Sequence, residues 1–330
     1  MNVITMNYSN LGKTGLRVSK ICLGTMTLGD PMVAECILKR AIELGINFFD
    51  TADAYWGGKC EENLGKATKE YRDDVVICTK VFFPTEKKPI SQGLNRHHVD
   101  VELERSLKRL QTSYVDLYLT HRHDPTVSFE NILRTMNHTI DQGKVLHIGA
   151  STMYAWELAK SRWVADRLGL EPFQVMECHY NLLYREEERE MLPLCRDQDI
   201  GVMCWGPLAR GALAGGYTRE KRSDSPRAAW DTDLQHWFLR LDDFQIIDRV
   251  VELAKQKDIS PAQLALSWLL SKEAGVVPIL GATSVRHVEE AVEALRIRLS
   301  EHDVAYIEEL YKPRALIGHY AGVPVAGDFK

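Results

Sequence analysis

Three short apolar runs in this chain each end in a residue that can hold or move a proton. Asn47-Phe48-Phe49 leads into Asp50, Val75-Val76-Ile77-Cys78-Thr79 into Lys80, and the run from Tyr114 to Thr120 into His121. Tyr55 follows the first of these ends by five residues, in what reads as an adjoining loop. The four side chains suit one kind of chemistry. A phenol titrates near pH 10, too high for a good acid or base at neutrality, and a nearby ammonium lowers that value by favouring the phenolate. A carboxylate beside the ammonium keeps it charged and positioned. An imidazole hydrogen-bonds a carbonyl oxygen or relays a proton. The set fits reduction of a carbonyl by hydride, with Tyr55 giving a proton to the oxygen.

For these groups to meet, the three runs must be parallel strands that open on one face, and the rest of the chain supplies that pattern. Val33, Ile37, Ala41 and Leu44 share one helical face, as do Val99, Leu103, Leu107 and Leu110. Further helices are expected near 59–69, 128–142, 154–168, 242–257, 285–296 and 301–311, and strands at 21–23, 145–150, 173–179, 201–205 and 276–280. Ser260-Pro261-Ala262-Gln263 places Ser at the N-cap, Pro at the first helical position and Gln where a capping box needs it. Ser300-Glu301-His302-Asp303 opens the last helix in a similar way. Residues 6–20 read as a β-hairpin turning at Gly12–Gly15, residues 206–240 as a long polar loop over the site, and 313–330 as a tail without pattern. Alternating strands and helices imply a parallel sheet. About eight such units predict an α/β fold, a (β/α)8 TIM barrel spanning 1–330 as one domain, with its chemistry at the C-terminal strand ends.

Composition sets outer limits. Of 330 residues, 45% are apolar and 26% charged, enough for a large core and too ordered a mixture for a disordered chain. The net charge of −5, without a basic run, argues against nucleic acid or an anionic membrane as partner. Cysteines 22, 36, 60, 78, 178, 195 and 204 are scattered, odd in number and lack a Cys-x-x-Cys pair. This points to a reduced, cytoplasmic setting. No stretch reads as a secretion signal or a membrane span.

The chain resembles the aldo-keto reductases over nearly its whole length. The resemblance is carried by Leu11-Gly12-Lys13-Thr14-Gly15-Leu16-Arg17-Val18-Ser19, Leu23-Gly24-Thr25-Met26, Phe49-Asp50-Thr51-Ala52-Asp53-Ala54-Tyr55, Thr79-Lys80 and Asp116-Leu117-Tyr118-Leu119-Thr120-His121-Arg122. It continues through Ile148-Gly149-Ala150-Ser151, Tyr180-Asn181-Leu182, Gly206-Pro207-Leu208-Ala209-Arg210-Gly211 and Gly281-Ala282-Thr283. The long loop after the seventh barrel strand is similar to the bacterial branch. The resemblance implies a hairpin plugging the barrel bottom and a catalytic tetrad of Asp50, Tyr55, Lys80 and His121. It also implies a nicotinamide cofactor held without a Rossmann domain.

The same resemblance implies cofactor contacts at Gly24, Thr25, Met26 and Asp50. Ser151-Thr152 stands where the family usually has Ser-Asn on the nicotinamide carboxamide. Glu177 stands where the sixth barrel strand usually supplies a Gln to the same group. A carboxylate only accepts hydrogen bonds, whereas an amide does both. Glu177 therefore either favours the oxidised cofactor and alcohol oxidation, or is protonated, or simply copies the shape of Gln. Gln174 does not replace it, because three residues along a strand lie on the other face. Trp205 takes the place of a Tyr that stacks on the nicotinamide. Gly206, Pro207, Leu208 and Gly211 are expected at the pyrophosphate. Gly281, Thr283, Arg286, His287 and Glu290 are expected at a 2′-phosphate, which favours NADP(H) over NAD(H).

The substrate is expected to be a small carbonyl or alcohol compound, an aldehyde, ketone or sugar-like molecule. It would be shaped by Trp56, Phe82, Arg122 and His123, with Phe83 and Trp237 as further candidates. A homo-oligomer is compatible with the sequence. Two other readings stand beside the reductase. His121-x-His123 could chelate zinc in a barrel hydrolase, although Lys80 and Tyr55 then have no role. A redox-sensing subunit would bind the cofactor and turn over slowly.

Overall fold

A computed structural model describes residues 6–217, 237–272 and 275–317. Strands β1 (Tyr8–Asn10) and β2 (Arg17–Ser19) pair antiparallel as the expected hairpin. Eight parallel strands then close a barrel. They are β3 (Cys22–Gly24), β4 (Phe48–Asp50), β5 (Val76–Val81), β6 (Val115–Thr120), β7 (Val145–Ser151), β8 (Val175–His179), β9 (Gly201–Trp205) and β10 (Val276–Gly281), with β10 returning to β3. The fold is thus the predicted (β/α)8 TIM barrel with an N-terminal hairpin. The seam between the last and first strands is reinforced by Thr27 Oγ1, which donates to the Ala282 carbonyl at 2.7 Å, 255 residues away.

The helices follow the expected order. They are α1 (Pro31–Glu43), α2 (Lys59–Thr68), α3 (Arg96–Leu110), α4 (Phe129–Asp141), α5 (Ala155–Leu168), α6 (Met191–Asp197), α7 (Leu241–Gln256), α8 (Pro261–Ser271), α9 (Val285–Ala294) and α10 (Glu301–Glu308). Both capping boxes form, Ser260 with Gln263 and Ser300 with Asp303. Helix α6 was not expected: it has only seven residues and carries Pro193 within them, too short to show a period. The 206–240 loop is described in part. It starts with a tight turn over Ala209–Ala214, and 218–236 lie outside the described residues. Of the 313–330 tail, residues 313–317 are described and irregular, with Arg314 hydrogen-bonded to Asp243 and to the Trp237 carbonyl.

Two apolar cores result from strand alternation. One lies between barrel and helices. The other fills the barrel axis with Cys22, Phe48, Val76, Cys78, Leu117, Leu119, Val175, Met203, Val277 and Ile279, and is closed below by Leu11 and Val18 of the hairpin. The hairpin fits tightly: a Cβ on Gly12 would come within 2.3 Å of the Gly201 nitrogen. Gly149 is equally constrained inside, where a Cβ would meet the Val175 carbonyl oxygen at 2.5 Å.

Candidate functional site

The axial core tells which side chains reach the barrel mouth. Every second residue points inward, so Phe48 is followed by Asp50, Val76 and Cys78 by Lys80, and Leu117 and Leu119 by His121. Val175 is followed by Glu177 and His179, and Met203 by Trp205. Each row begins apolar and ends polar or aromatic at the C-terminal face. Asp50, Lys80, His121 and Glu177 are buried there, while Tyr55 is half-buried at the start of a tight turn, Tyr55–Gly58.

Lys80 is the hub. Its Nζ donates to Asp50 Oδ1 at 2.5 Å and to the Thr51 carbonyl at 3.0 Å, and lies 3.3 Å from Glu177 Oε2. It stands 5.4 Å from the centre of the Tyr55 ring, whose edge meets the His121 ring at 5.7 Å. Burial alone lowers the proton affinity of Lys80, but Asp50 and Glu177 outweigh it and hold the ammonium well above its ordinary pKa. Burial pushes His121 well below its ordinary value, with Lys80 and Arg122 adding to the effect, so its imidazole is neutral. Burial raises Glu177 to about 7 against the pull of Lys80. The Tyr55 phenol is also raised. Burial dominates, and Lys80 opposes it without reversing it. An ammonium shared among three acceptors does not produce the lowered phenol that four residues in isolation suggest.

At the ends of β7 and β9, Thr152 ties the mouth together. Its Oγ1 accepts from Trp205 Nε1 at 3.0 Å and from Arg122 Nη1 at 3.1 Å, and lies 3.3 Å from Ser151 Oγ. The backbone at Thr152 is left-handed, with φ 48°. Trp205 stacks on His179 at 3.8 Å and 8°, and His179 stacks in turn on Tyr184 at 4.5 Å. One face of the half-buried indole is therefore backed by a column of rings, and the Trp237 ring lies tilted 6.1 Å from it. Asn181 Nδ2 donates to the Gly206 carbonyl at 2.9 Å and lies 3.1 Å from His179 Nε2.

After β9, Ala209, Arg210 and Gly211 hold φ values of 47°, 57° and 100°. Two of these are not glycine, and such costly backbone collects at ligand sites. The amides of Ala209 and Gly211 donate to the Gly206 and Leu208 carbonyls, each at 2.9 Å. At the start of α9, the Thr283 amide donates to His287 Nδ1 at 3.3 Å, and the exposed Arg286 pairs with Glu290 at 2.8 Å. Thr25 Oγ1 is buried near the mouth without a hydrogen-bond partner, and the Thr25 amide donates to the Asp50 carbonyl at 2.8 Å. A stacking face, adjacent hydroxyls and an orphaned one suit a dinucleotide.

The substrate-side residues sort differently from the sequence expectation. Phe82 is fully buried in the outer core, and it is Phe83 that meets His121, at 4.7 Å. His123 turns away from the mouth to stack on Phe129 at 4.8 Å and approach Glu157 at 3.6 Å. It therefore does not converge with His121 on a metal, and among the described residues no cluster of three or more His, Cys, Asp or Glu has metal-holding geometry. Gln174 sits below the strand with its Oε1 2.7 Å from His147 Nδ1. Trp56 stands at the rim, 63% exposed and left-handed, its Nε1 donating to the Met26 carbonyl at 3.0 Å. Arg122 is half-buried with its guanidinium 5.5 Å from the Phe83 ring. Sequence reading missed His179 and Asn181 as supports for Trp205. Their signal was the inward parity of Val175, Glu177 and His179.

Residues 20–312 match the model of the Aldo/keto reductase family. The chain belongs to this family. Versiconal hemiacetal acetate reductase of Aspergillus parasiticus is 37% identical over 340 residues, covering 94% of this chain and 98% of the relative. A provisionally named aryl-alcohol dehydrogenase of Schizosaccharomyces pombe is 37% identical over 351 residues, covering 94% and 97%. Norsolorinic acid reductase of Aspergillus flavus is 33% identical over 315 residues, covering 89% and 78%. These relatives are fungal. Family and relatives together make this aldo/keto reductase an oxidoreductase. Among the described residues, no helix is long and apolar enough to cross a membrane.

Proposed function

We propose that this aldo/keto reductase transfers hydride between NADP(H) and a carbonyl or alcohol carbon, with Tyr55 as general acid in reduction and general base in oxidation. The observation that carries the reading is the buried Lys80 ammonium, held by Asp50 at 2.5 Å under the Tyr55 ring, with a neutral His121 edge-on beside it. Perturbed titratable groups that converge in a cleft mark a functional site, and barrel enzymes work at the C-terminal strand ends where these groups lie. When bound, the reduced nicotinamide supplies the hydride. Ser151 and Thr152 would hold its carboxamide, Trp205 would carry its ring, and Thr283, Arg286 and His287 would face a 2′-phosphate. Neutral His121 would hold the carbonyl oxygen by a hydrogen bond. The Tyr55 phenol would give that oxygen its proton as negative charge develops there. The aromatic mouth made by Phe83, Trp205 and Trp237, and the aryl-alcohol name of one relative, favour an aryl aldehyde or alcohol as substrate.

Turnover of benzaldehydes, benzyl alcohols, ketones and sugars is followed by reduced-nicotinamide absorbance with NADP(H) and NAD(H). Tyr55→Phe should lower kcat by at least about 100-fold while cofactor affinity stays within a few fold. Equal turnover in the variant would refute the role of Tyr55. Tight cofactor binding without turnover on any substrate would replace the enzyme reading by a redox sensor.

A further inference from the structure

Lys80 carries two carboxylates, and only one of them belongs to the strand pair next to it. Asp50 comes from adjacent β4, but Glu177 comes from β8, which β6 and β7 separate from β5. Glu177 therefore reaches Lys80 across the barrel interior. It is 3% exposed, its Oε2 lies 3.3 Å from Nζ, and that oxygen has no properly aligned hydrogen-bond donor. An ammonium has three protons. Two go to Asp50 and the Thr51 carbonyl, and Glu177 occupies the third quarter. The groups facing this cluster are Lys80 and Cys78 of β5, Asp50 of β4, Cys22 of β3, and Tyr55, His121 and Arg122 above. The two thiols are buried and pushed up by burial, and His121 is neutral. Among the described residues Lys80 is thus the one cation at the centre, against two acids, with Arg122 at the edge bonded to the His121 carbonyl and Thr152.

We propose that Glu177 is a second counter-ion of Lys80 that tunes Tyr55: its charge offsets the ammonium, so the phenol keeps its proton and acts as a donor in reduction. The inference rests on the reading of Tyr55 as the acid–base residue. It makes Glu177 a positioning residue that acts through Lys80, not one that touches the reacting carbon. Burial and the charges of Asp50 and Glu177 both raise the Tyr55 phenol. Removing one of the two acids leaves the ammonium freer to favour phenolate. The role differs from a carboxylate meeting the oxidised nicotinamide, because that would change the ratio of affinities for the two cofactor forms and leave Tyr55 alone. It also differs from Glu177 copying the shape of Gln, because Glu177→Gln would then be silent.

Glu177→Gln and Glu177→Met are compared with wild type in two measurements. The first is the pH profile of kcat/KM for alcohol oxidation, whose rising limb should move to lower pH by about one unit in both variants, the scale expected for one charge at a buried site. The second follows the ring Cζ resonance of 13C-tyrosine-labelled protein, with the Tyr55 signal assigned by its loss in Tyr55→Phe. In the variants this signal should move toward the phenolate position at lower pH than in wild type. It needs no substrate, so it decides the inference even where turnover fails and the proposed function falls with it. Two variants of different chemistry guard against one failing to fold. A Tyr55 signal and a rising limb that stay with wild type in both variants overturn the proposal. A changed ratio of cofactor affinities with an unmoved Tyr55 signal overturns it as well.

Discussion

Lys80→Met removes the ammonium and keeps the volume of the side chain. Asp50 and Glu177 are then left buried with no cation between them, and neither can stay ionised there. Glu177 already titrates at about 7, so at neutral pH it adds little. Asp50 carries most of the cost. An unfolded aspartate titrates near 3.9, so protonating it at pH 7 costs about three pH units at about 1.4 kcal/mol each, or about 4 kcal/mol. This is a ceiling, because the protein never does worse than take up the proton. It agrees with the scale of about 3–5 kcal/mol for breaking a buried pair from one side. An unfolding entropy of about 2.1 cal/mol/K per residue over 330 residues converts the ceiling to a fall in Tm of about 6 °C. Burial already holds Asp50 of the wild type above its ordinary value against the pull of Lys80, so the two proteins part only as pH rises past that raised value; the deficit grows from there toward alkali and closes below it. Adding Asp50→Asn removes the stranded charge and should restore most of the loss, while turnover stays absent in both variants. Thermal melts from pH 4 to 8 decide the matter. A deficit that does not change with pH, or a double variant no more stable than Lys80→Met, would refute the reasoning.

The raised phenol of Tyr55 sets the sign of the activity profiles. Reduction needs the protonated phenol, so its kcat/KM should stay level through neutrality and fall only in alkali, while oxidation should rise with pH; opposite slopes in paired profiles would contradict this. Thr152→Val keeps the β-branched shape but strips the acceptor used by Trp205 and Arg122, with an expected loss of about 1–3 kcal/mol and weaker cofactor binding by indole fluorescence. Thr152→Ser should stay near wild type in both assays. Phe83→Leu should change KM for aryl substrates and Phe82→Leu should not, while both lower stability because both rings are buried in the outer core; KM values of the two variants separate the roles.

Much of the site was legible because the alternation of a strand is rigid. Once Phe48, Val76 and Leu117 are inward, Asp50, Lys80 and His121 must be inward too, and their strand ends share one face. The two misplaced pocket residues fail for the same physical reason. β5 ends at Val81 and β6 at Thr120, and the last bond of their ladder runs from the His121 amide to the Val81 carbonyl, so the period of two still reaches His121 but no longer applies to Phe82 or His123. Phe82 and His123, carried inward by counting on from Lys80 and His121, turn instead into the outer layer. The contact of Glu177 with Lys80 was invisible for another reason. It spans the barrel interior, and its length depends on barrel diameter and not on any local spacing. The stack of His179 on Trp205 depends on the β8–β9 register, which pairs those two residues and which no single strand reveals. Helix α6 left no periodic trace over its seven residues.

The seam between β10 and β3 has a consequence for how the molecule comes into being. Cys22, Leu23 and Gly24 pair with Ile279, Leu280 and Gly281, and Thr27 clasps Ala282 from the far end of the chain. During synthesis every other neighbouring pair of barrel strands can form as the chain emerges, because each joins segments close in order. The seam cannot: β3 must wait, with one edge unpaired, until nearly the whole polypeptide has left the ribosome. Closure is then a step of high contact order and a slow one. Until it happens, the chain exposes an unpaired strand edge of the kind that recruits other chains. The last helix and the seam strand should therefore govern yield on expression more than any change at the mouth.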